Sequence, residues 1–379
     1  TYNPKEEVPY VAGWKNHFDG EDFESKEPLY NSMSIDEWDR IQATRNAINK
    51  LGDSLQESGI DEDEFVFFQS NDTGRQIEIT HIGNTPYDEH TLEETLPASV
   101  TGYKPEADED LGFSTKIKQG QLNKQDSYDQ PNNGDYKLFD DVPGGAPILA
   151  VDNNECAGCT AGPFVHNNQG KGWVTNYHVV KDTKTGDNYG NVVAQAADSC
   201  SYYGGNPDDK NGEKIGELEY WWDEDESSPQ TSTPARIDLA FVGDTVSDKT
   251  PHEWIAGSSY LDNEDLPITV VIADVELENE EGDQNWNLNV QGQATGRSES
   301  YVDTVVYDSN GEVIAGMLDG DYTEDGDSGG PVFHELNGEA YMCGVHVGAA
   351  SPSDEIGYKS YFNTAQTVEE YLDGQWDAQ

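Results

Sequence analysis

The sequence predicts a mainly β protein: two six-stranded antiparallel β-barrels with a C-terminal helix, preceded by a small α+β domain. Two observations predict this organisation. Beyond residue 139, short apolar runs alternate with Gly-, Asn- and Asp-rich turns about every ten residues, as in β-barrels and sandwiches. A polar stretch at residues 119–133 reads as a linker, so we predict domains at residues 1–135 and 136–379. Predicted strands of the second domain are residues 163–166, 172–175, 192–195, 237–242, 268–272, 288–290, 304–307, 313–317, 331–334 and 341–347, and Asn363 or Thr364 caps the final helix.

The first domain is predicted to contain one long helix. Residues 1–30 are polar and acidic with little periodicity, which indicates an extended arm. Ser34 is a good N-cap, Glu37 follows three residues later as in a capping box, and apolar residues at helical spacing continue towards Gly59. The predicted strands of this domain are residues 64–69, residues 76–81 and one short strand within residues 86–104.

The charge balance is extreme, with 75 Asp and Glu residues against 21 Lys and Arg residues and a net charge of −54. The chain also has 8 Trp, 20 Tyr and 11 Phe residues, which are enough for a packed core and argue against a disordered chain. Acidic residues are spread over the whole length. This pattern indicates adaptation to high salt, where a Debye length of about 3 Å screens the repulsion. It argues against nucleic acid as a partner.

The sequence argues against a membrane span, a structural zinc site and an EF-hand. No apolar run is long enough to span a membrane. Cys156 and Cys159 have zinc-ligand spacing, but no second pair of this kind follows. One or two disulfides among these residues, Cys200 and Cys343, or free buried thiols, are therefore preferred over a structural zinc, with three pairings open. We expect no cofactor, and no acidic turn has EF-hand spacing. The oligomeric state is not predicted.

The motif Gly-Asp-Ser-Gly-Gly-Pro at residues 326–331, called here the serine loop, is the strongest functional signal. Glycines on both sides of Ser328 allow dihedral angles at which backbone N–H groups converge beside the serine oxygen. An apolar strand follows directly. A shorter Asp-Ser-Gly match would indicate only a Gly-rich turn, so the interpretation depends on the rest of the chain supplying a base and an acid.

A histidine and an aspartate in suitable settings precede the serine loop. His178 follows the apolar segment Trp173-Val174-Thr175, and Asp238 stands in the otherwise apolar segment of residues 237–242. A serine hydroxyl needs an imidazole to take its proton and a carboxylate to hold that imidazole. A carboxylate in a buried strand is costly unless it is paired, so we expect His178 to be the partner of Asp238.

These three segments, in the order His, Asp, Ser, resemble the chymotrypsin-like serine endopeptidases in their bacterial and archaeal branch. The match consists of a T-N-x-H segment ending at His178, a D-[LI]-A segment starting at Asp238, and the serine loop. The resemblance covers residues 138–379. It implies that His178 is the general base, Asp238 its orienting acid and Ser328 the nucleophile, and that the N–H groups of Gly326 and Ser328 form the oxyanion hole.

The resemblance also implies a role for Asp327, which must be buried beneath the loop. Bacterial members hold this carboxylate with an arginine from a G-R-T-T-G segment. Residues 296–300, Gly-Arg-Ser-Glu-Ser, match the first two positions and depart from the pattern at Glu299 and Ser300. The resemblance therefore predicts an ion pair between Arg297 and Asp327.

Specificity is predicted from two further positions. Tyr322 stands where trypsin-type members have the aspartate that selects Lys or Arg, so that preference is not expected. His346 lies in a segment that resembles the G-[IV]-H strand of glutamyl endopeptidases, where the histidine meets the substrate carboxylate. With Thr323 nearby, His346 would favour Glu, Asp or Gln before the scissile bond. A packing role for His346 is the equally weighted alternative.

The predicted function is a salt-adapted serine endopeptidase that acts on protein or peptide substrates through an acyl-enzyme. The alternative is a protease-fold structural or binding protein of an extracellular or viral assembly, either self-processing or inactive. The expected location is extracellular or on the surface of a virion or cell, and an intracellular location stays open.

Overall fold

The structure is a computed structural model that describes most of the chain. The described residues are 6–19, 22–69, 74–82, 89–124, 141–152, 155–167, 170–180, 192–196, 212–223, 237–244, 250–256, 266–320, 323–324, 326–351, 359–372 and 374–376.

The N-terminal part begins with a β-hairpin and not with the predicted extended arm. Strands β1 (Glu7–Asp19) and β2 (Asp22–Ser34) pair antiparallel along their whole length. The arm prediction was wrong because the pairing of these acidic segments with each other, and of β1 with the second part of the chain, supplies order that their composition does not signal. The other elements of this part are α1 (Ile35–Glu57), β3 (Phe65–Gln69), β4 (Gln76–His81), α2 (Glu89–Thr95), β5 (Ser99–Lys104), β6 (Glu109–Gln119) and β7 (Gln121–Lys124).

The predicted helix is confirmed as α1. The Ser34 hydroxyl accepts a hydrogen bond from the Glu37 N–H at 3.1 Å, and Gly59 lies just beyond the end with a φ of 71°. The strands predicted at residues 64–69 and 76–81 are β3 and β4. The short strand predicted within residues 86–104 is confirmed as β5, while α2 in the same range and β6 beyond it were not predicted. Residues 121–124 of the predicted linker form the strand β7.

The second part of the chain begins with an eight-stranded antiparallel sheet. Its strand order is β10-β9-β13-β14-β15-β12-β11-β24, so the final strand of the chain borders the sheet. A short helix, α3 (Tyr177–Val180), follows β12 directly. The strands are β9 (Pro147–Asp152), β10 (Glu155–Thr160), β11 (Phe164–Asn167), β12 (Gly170–Thr175), β13 (Val192–Ala196), β14 (Gly212–Asp223), β15 (Asp238–Asp244) and β24 (Gly374–Trp376).

A closed antiparallel barrel follows, as predicted. Its six strands pair in the cyclic order β18-β19-β20-β23-β22-β21 and back to β18. The helix α5 (Ala365–Tyr371) then begins at its N-cap Thr364, which confirms the predicted C-terminal helix. The remaining elements are β8 (Asp141–Gly144), β16 (Thr250–Ile255), β17 (Leu266–Ile272), α4 (Asp274–Asn279), β18 (Asn287–Gly292), β19 (Gly296–Tyr307), β20 (Val313–Leu318), β21 (Pro331–Leu336), β22 (Glu339–Ser351) and β23 (Lys359–Thr364).

Strand pairing joins the N-terminal part to the second part of the chain at three places, two of which are on strands of this barrel. Strand β1 pairs with β17, β3 pairs with β19, and β7 pairs with β22. Apolar side chains of the two parts also share buried clusters, in which Phe65 and Phe67 pack with residues such as Leu288 and Val305. The domain boundary between residues 135 and 136 stays a prediction. The two parts of the chain on either side of it share a hydrophobic core.

Two of the four cysteines are buried free thiols. Burial raises the pKa of Cys159 to about 12 and also raises the pKa of Cys343, so both thiols stay protonated. Cys200 and the side chain of Cys156 lie outside the described part, so the alternatives left open for these two cysteines stay predictions. Among the helices that the structure describes, none has the length and apolar character needed to cross a membrane.

Two carboxyl groups are desolvated where α4 packs between the N-terminal part and the barrel. Burial raises the pKa of Asp274 to about 7, against the opposing influence of a Thr364 hydrogen bond and the Arg45 charge. Burial likewise raises the pKa of Glu281 to about 7, and Arg40 and a 2.8 Å hydrogen bond from the Thr304 hydroxyl oppose the rise. The folded protein therefore holds protons at a pH where the unfolded chain has released them.

We expect the free energy of unfolding to fall as the pH rises from about 4 to about 7, because the folded state binds more protons than the unfolded state in that window. Urea unfolding at constant molar salt measures this slope. Asp274→Asn should flatten the slope, while the matched variant Asp36→Asn, at an exposed position, should keep it. An unchanged slope in Asp274→Asn would contradict the assignment.

Candidate active site

The serine loop connects β20 to β21 and takes its shape from glycines. Gly326 and Gly329 have φ values of 99° and 90°, in the left-handed region that other residues rarely adopt. A Cβ atom on Gly329 would lie 2.3 Å from both the Thr160 carbonyl oxygen and the Thr175 hydroxyl oxygen. The backbone of the serine loop therefore packs against Thr175 at the end of β12, too closely for a side chain at position 329. Thr175 is three residues before His178.

Hydrogen bonds fix the loop against both β-structures. Gly329 donates its N–H to the His346 carbonyl at 2.9 Å, and the His346 N–H donates to the Gly330 carbonyl at 2.8 Å. Thr160, at the end of β10, donates its N–H to the Ser328 carbonyl at 3.0 Å and its hydroxyl to the Gly326 carbonyl at 2.9 Å. The eight-stranded sheet and the closed barrel thus meet at the serine loop.

His178 and Asp238 form the buried pair that the sequence predicts. Asp238, at the first position of β15, is fully buried, and its Oδ1 accepts the backbone N–H of His178 at 3.0 Å. Its Oδ2 contacts Nδ1 of the same histidine in a short hydrogen bond. The two bonds fix both the backbone and the ring of His178. Because Nδ1 faces the carboxylate, Nε2 is the ring nitrogen that can take a proton from a hydroxyl.

Two asparagines position this pair and were missed by sequence reasoning. The Asn363 amide oxygen, from β23, accepts the Asp238 N–H at 3.1 Å, and the Asn176 amide donates to the Asp238 carbonyl at 2.8 Å. Asn176 lies in the segment that marked His178, so its type was visible there. Asn363 lies 125 residues from Asp238, and no local pattern announces it.

The segments that carry His178, Ser328 and His346 converge. Burial lowers the pKa of His346 to about 3, and the electrostatic influence of the nearby His178 acts in the same direction. The Ser328 hydroxyl donates to the Val347 carbonyl at 3.1 Å, directly after His346 in β22. Catalytic hydrogen bonds are often rearranged in the free state of an enzyme, so this arrangement is compatible with a reactive serine.

Asp327 is held by the neighbouring hairpin turn and not by the predicted arginine. Its carboxylate accepts the N–H groups of Ala294, Thr295 and Glu324 at 2.7, 3.2 and 3.0 Å. The Thr295 hydroxyl donates a fourth bond at 2.7 Å. Burial raises the pKa of Asp327, and these four bonds oppose the rise. Such donors at a turn stabilise a buried carboxylate without a countercharge.

The predicted ion pair between Arg297 and Asp327 is therefore wrong. Arg297 contacts the Glu335 carboxylate at 3.2 Å and donates to the Ala256 carbonyl at 3.1 Å, while its guanidinium lies over the Phe333 ring. The turn between β18 and β19 can reach Asp327 because Gly292 lies against it: a Cβ atom on Gly292 would meet the carboxylate oxygen at 2.0 Å.

Gly326 and Ser328 stay the predicted donors of the oxyanion hole. In the described part of the chain, the Gly326 N–H donates to no acceptor, and Ser328 follows two residues later in the serine loop. Of the predicted pocket residues, His346 is fully buried and Thr323 hydrogen-bonds the Ser360 hydroxyl at 3.1 Å. Tyr322 lies outside the described residues. No group of three or more Asp, Glu, His or Cys residues suited to a metal occurs within the described ranges.

Comparison with known proteins adds little to this geometry. No family model matches the chain, and no curated protein matches it. One solved structure that matches is a glutamic-acid-specific serine protease described as using a novel histidine triad in substrate binding. It shares 16% identity, with 62% of this chain and 100% of that chain covered and a TM-score of 0.38. A similarity at this level carries no information about the chemistry of the present chain.

Proposed function

We propose that this chain is a serine endopeptidase with Ser328 as nucleophile, His178 as general base and Asp238 as the acid that orients the base. The buried His178–Asp238 pair beside the serine loop is the observation that carries the proposal. Burying a carboxylate costs free energy even when it is paired with a histidine, and such costly arrangements cluster at functional sites.

The proposed chemistry is acyl transfer in two steps. His178 Nε2 takes the Ser328 hydroxyl proton as the oxygen attacks the peptide carbonyl, and then gives this proton to the leaving amine. Water repeats the sequence in reverse to release the acyl group. Asp238 holds Nδ1–H and stabilises the imidazolium. The N–H groups of Gly326 and Ser328 are the proposed donors to the oxyanion, each worth about 3–4 kcal/mol in related chemistry.

His346 supports a preference among the predicted residues before the scissile bond. Its pKa of about 3 makes the ring neutral, and its hydrogen bond with the backbone of Tyr361 raises the pKa, which identifies the ring as the donor. A neutral imidazole that donates its one N–H has an acceptor as its other nitrogen. An acceptor suits the amide of glutamine better than an ionised glutamate or aspartate.

We therefore expect cleavage after glutamine to exceed cleavage after glutamate by about tenfold or more in kcat/KM at neutral pH, because the carboxylate would be buried against an acceptor. Profiling with a peptide library at molar salt measures the ratio. Lowering the pH towards 4 should narrow the difference as glutamate becomes protonated. A preference for glutamate at neutral pH would contradict the role of His346.

The proposal is tested by labelling with a fluorophosphonate, which reacts with activated serines. In molar salt, which suits the net charge of −54, we expect one label on Ser328. Ser328→Ala should abolish labelling, and Ser54→Ala, which removes a half-buried hydroxyl that donates to the Lys50 carbonyl within α1, should not change it. A folded protein that takes up no label would overturn the proposal and favour a binding role for the fold.

The location and the substrates follow from the same proposal. We propose peptides or proteins as substrates, encountered outside the cell or at a cell or virion surface where salt is high. The dispersed acidic surface and the scarcity of Lys and Arg support a saline environment.

A further inference from the structure

Several segments pair in turn along one side of strand β22, and the serine loop is one of them. Strands β17 and β23 pair with one side of β22. On the other side, β21 pairs up to Val345, and the serine loop then bonds His346 and Val347. Strand β7 continues on that same side, since residues 348–350 pair with β23 and β7 at once. The serine loop therefore lies between β21 and β7.

Strand β7 runs towards Ser328. It is antiparallel to β22, with Gln121 opposite Ser351 and Lys124 opposite Gly348. Val347, the next residue of β22, accepts the hydrogen bond of the Ser328 hydroxyl at 3.1 Å. The C-terminal end of β7 is therefore the end nearest the serine.

A polypeptide that presents a carbonyl to Ser328 needs an edge to pair with. Extended peptides bind by adding a strand to an exposed sheet edge, through main-chain hydrogen bonds. The stretch of β22 next to Ser328 on the side of the serine loop is residues 348–351, and β7 already fills it. The register leaves no room for a second strand there.

The N-terminal part delivers β7 to this position. Strand β6 pairs parallel with β4 from Ser114 to Gln119, and the Gly120 N–H donates to the His81 carbonyl at 3.0 Å. Strand β7 begins at the next residue. Because β3 of the same part pairs with β19 of the barrel, the start of β7 is fixed relative to β22. A tethered strand binds at an effective concentration in the millimolar range.

We propose that Gln121–Lys124 act as an intramolecular competitor of a polypeptide substrate, because they already pair with residues 348–351 of β22, the strand edge beside Ser328. The proposal rests on the proposed endopeptidase function. It assigns the N-terminal part a regulatory role, because substrate and β7 cannot pair with the same stretch.

Proline substitutions test the competition. Neighbouring residues of a strand point their N–H groups to opposite sides, so of Leu122→Pro and Asn123→Pro one removes a donor to β22. We expect that variant to raise kcat/KM for a library-selected peptide about tenfold through KM, with kcat unchanged. Leu122→Ala and Asn123→Ala keep the N–H and are the matched controls. Unchanged kinetics in both proline variants would overturn the inference.

A reversible cross-link provides the second test and does not depend on proline being tolerated. Asn123 and Ala349 are Cα partners, so the double variant Asn123→Cys with Ala349→Cys can form a disulfide that locks β7 in place. We expect peptide hydrolysis to fall at least about tenfold on oxidation and to recover on reduction, because the locked strand cannot leave. Either single variant should not respond.

The fluorophosphonate separates the two levels of failure. Labelled Ser328 with no response to the cross-link or to proline overturns only the role of β7. Unlabelled Ser328 in every folded variant overturns the proposed function and this inference with it.

Discussion

Replacing Asp238 by asparagine is expected to lower kcat about ten-thousandfold with little change in KM. The Asp238 carboxylate accepts both the backbone N–H and Nδ1–H of His178. An asparagine can keep the backbone bond through its oxygen, but its NH₂ group would face Nδ1 and favour the tautomer that carries the proton on Nε2. That tautomer cannot take a proton from Ser328, and related triads lose about 10⁴ in kcat from this change. Peptide hydrolysis at molar salt measures the loss.

The control for Asp238→Asn is the same substitution at a second aspartate of this protein. Asp36 is exposed in the first turn of α1, and Asp36→Asn should keep kcat. Circular dichroism shows whether Asp238→Asn is folded, and fluorophosphonate labelling should slow in parallel with hydrolysis. A folded Asp238→Asn that retains a tenth or more of kcat would show that His178 does not depend on this carboxylate.

The pairing of His178 with Asp238 was predictable from the sequence because both residues stand out within short apolar segments. One carboxylate in an apolar strand needs a partner, and one histidine directly follows another apolar strand. Each of these facts is visible within a few residues. The Asn363 contact to Asp238 was not predictable, since it depends on how β23 passes β15 in the folded chain.

Five of the six barrel strands, β18 to β22, were predicted by the same kind of local signal, whereas β23 and the polar strands β1, β2 and β7 were not. Strands β18 to β22 carry buried apolar residues at short spacing, and the predicted segments at residues 288–347 match them. Strands β1, β2 and β7 are rich in polar residues and exist through their partners. Main-chain pairing at an edge leaves little trace in side-chain type.

The arginine prediction failed for a related reason. A resemblance in two residues, Gly296 and Arg297, suggested a charged partner for Asp327. Three backbone N–H groups hold this carboxylate instead, and a backbone N–H is present whatever the residue type. These N–H groups can reach Asp327 only because the backbone at Gly292 lies against its carboxylate. A glycine at this position is the one sequence feature that indicates such a close approach.

Asp327→Ala is expected to have the second-largest effect, on both stability and activity. It would leave the Thr295 hydroxyl and the N–H groups of Ala294, Thr295 and Glu324 without their acceptor in a region that is partly or fully buried. Since each unsatisfied buried donor costs about 1–3 kcal/mol, a loss of roughly 3 kcal/mol or more in the free energy of unfolding is expected. The Gly326 and Ser328 N–H groups flank Asp327, so kcat should also fall by about 10²–10³.

Arg297→Ala decides between the two ways of holding Asp327. If the hairpin turn holds the carboxylate, Arg297→Ala should change kcat less than about twofold. It removes the contacts of Arg297 to Glu335, Gln291, Ala256 and the Phe333 ring, so a stability loss of about 1–2 kcal/mol is expected. Thr295→Val, which removes one of the four donors, should fall between the two variants. Urea unfolding and peptide hydrolysis give both quantities for the three proteins. Equal losses of kcat in Arg297→Ala and Asp327→Ala would mean that the arginine supports the serine loop after all.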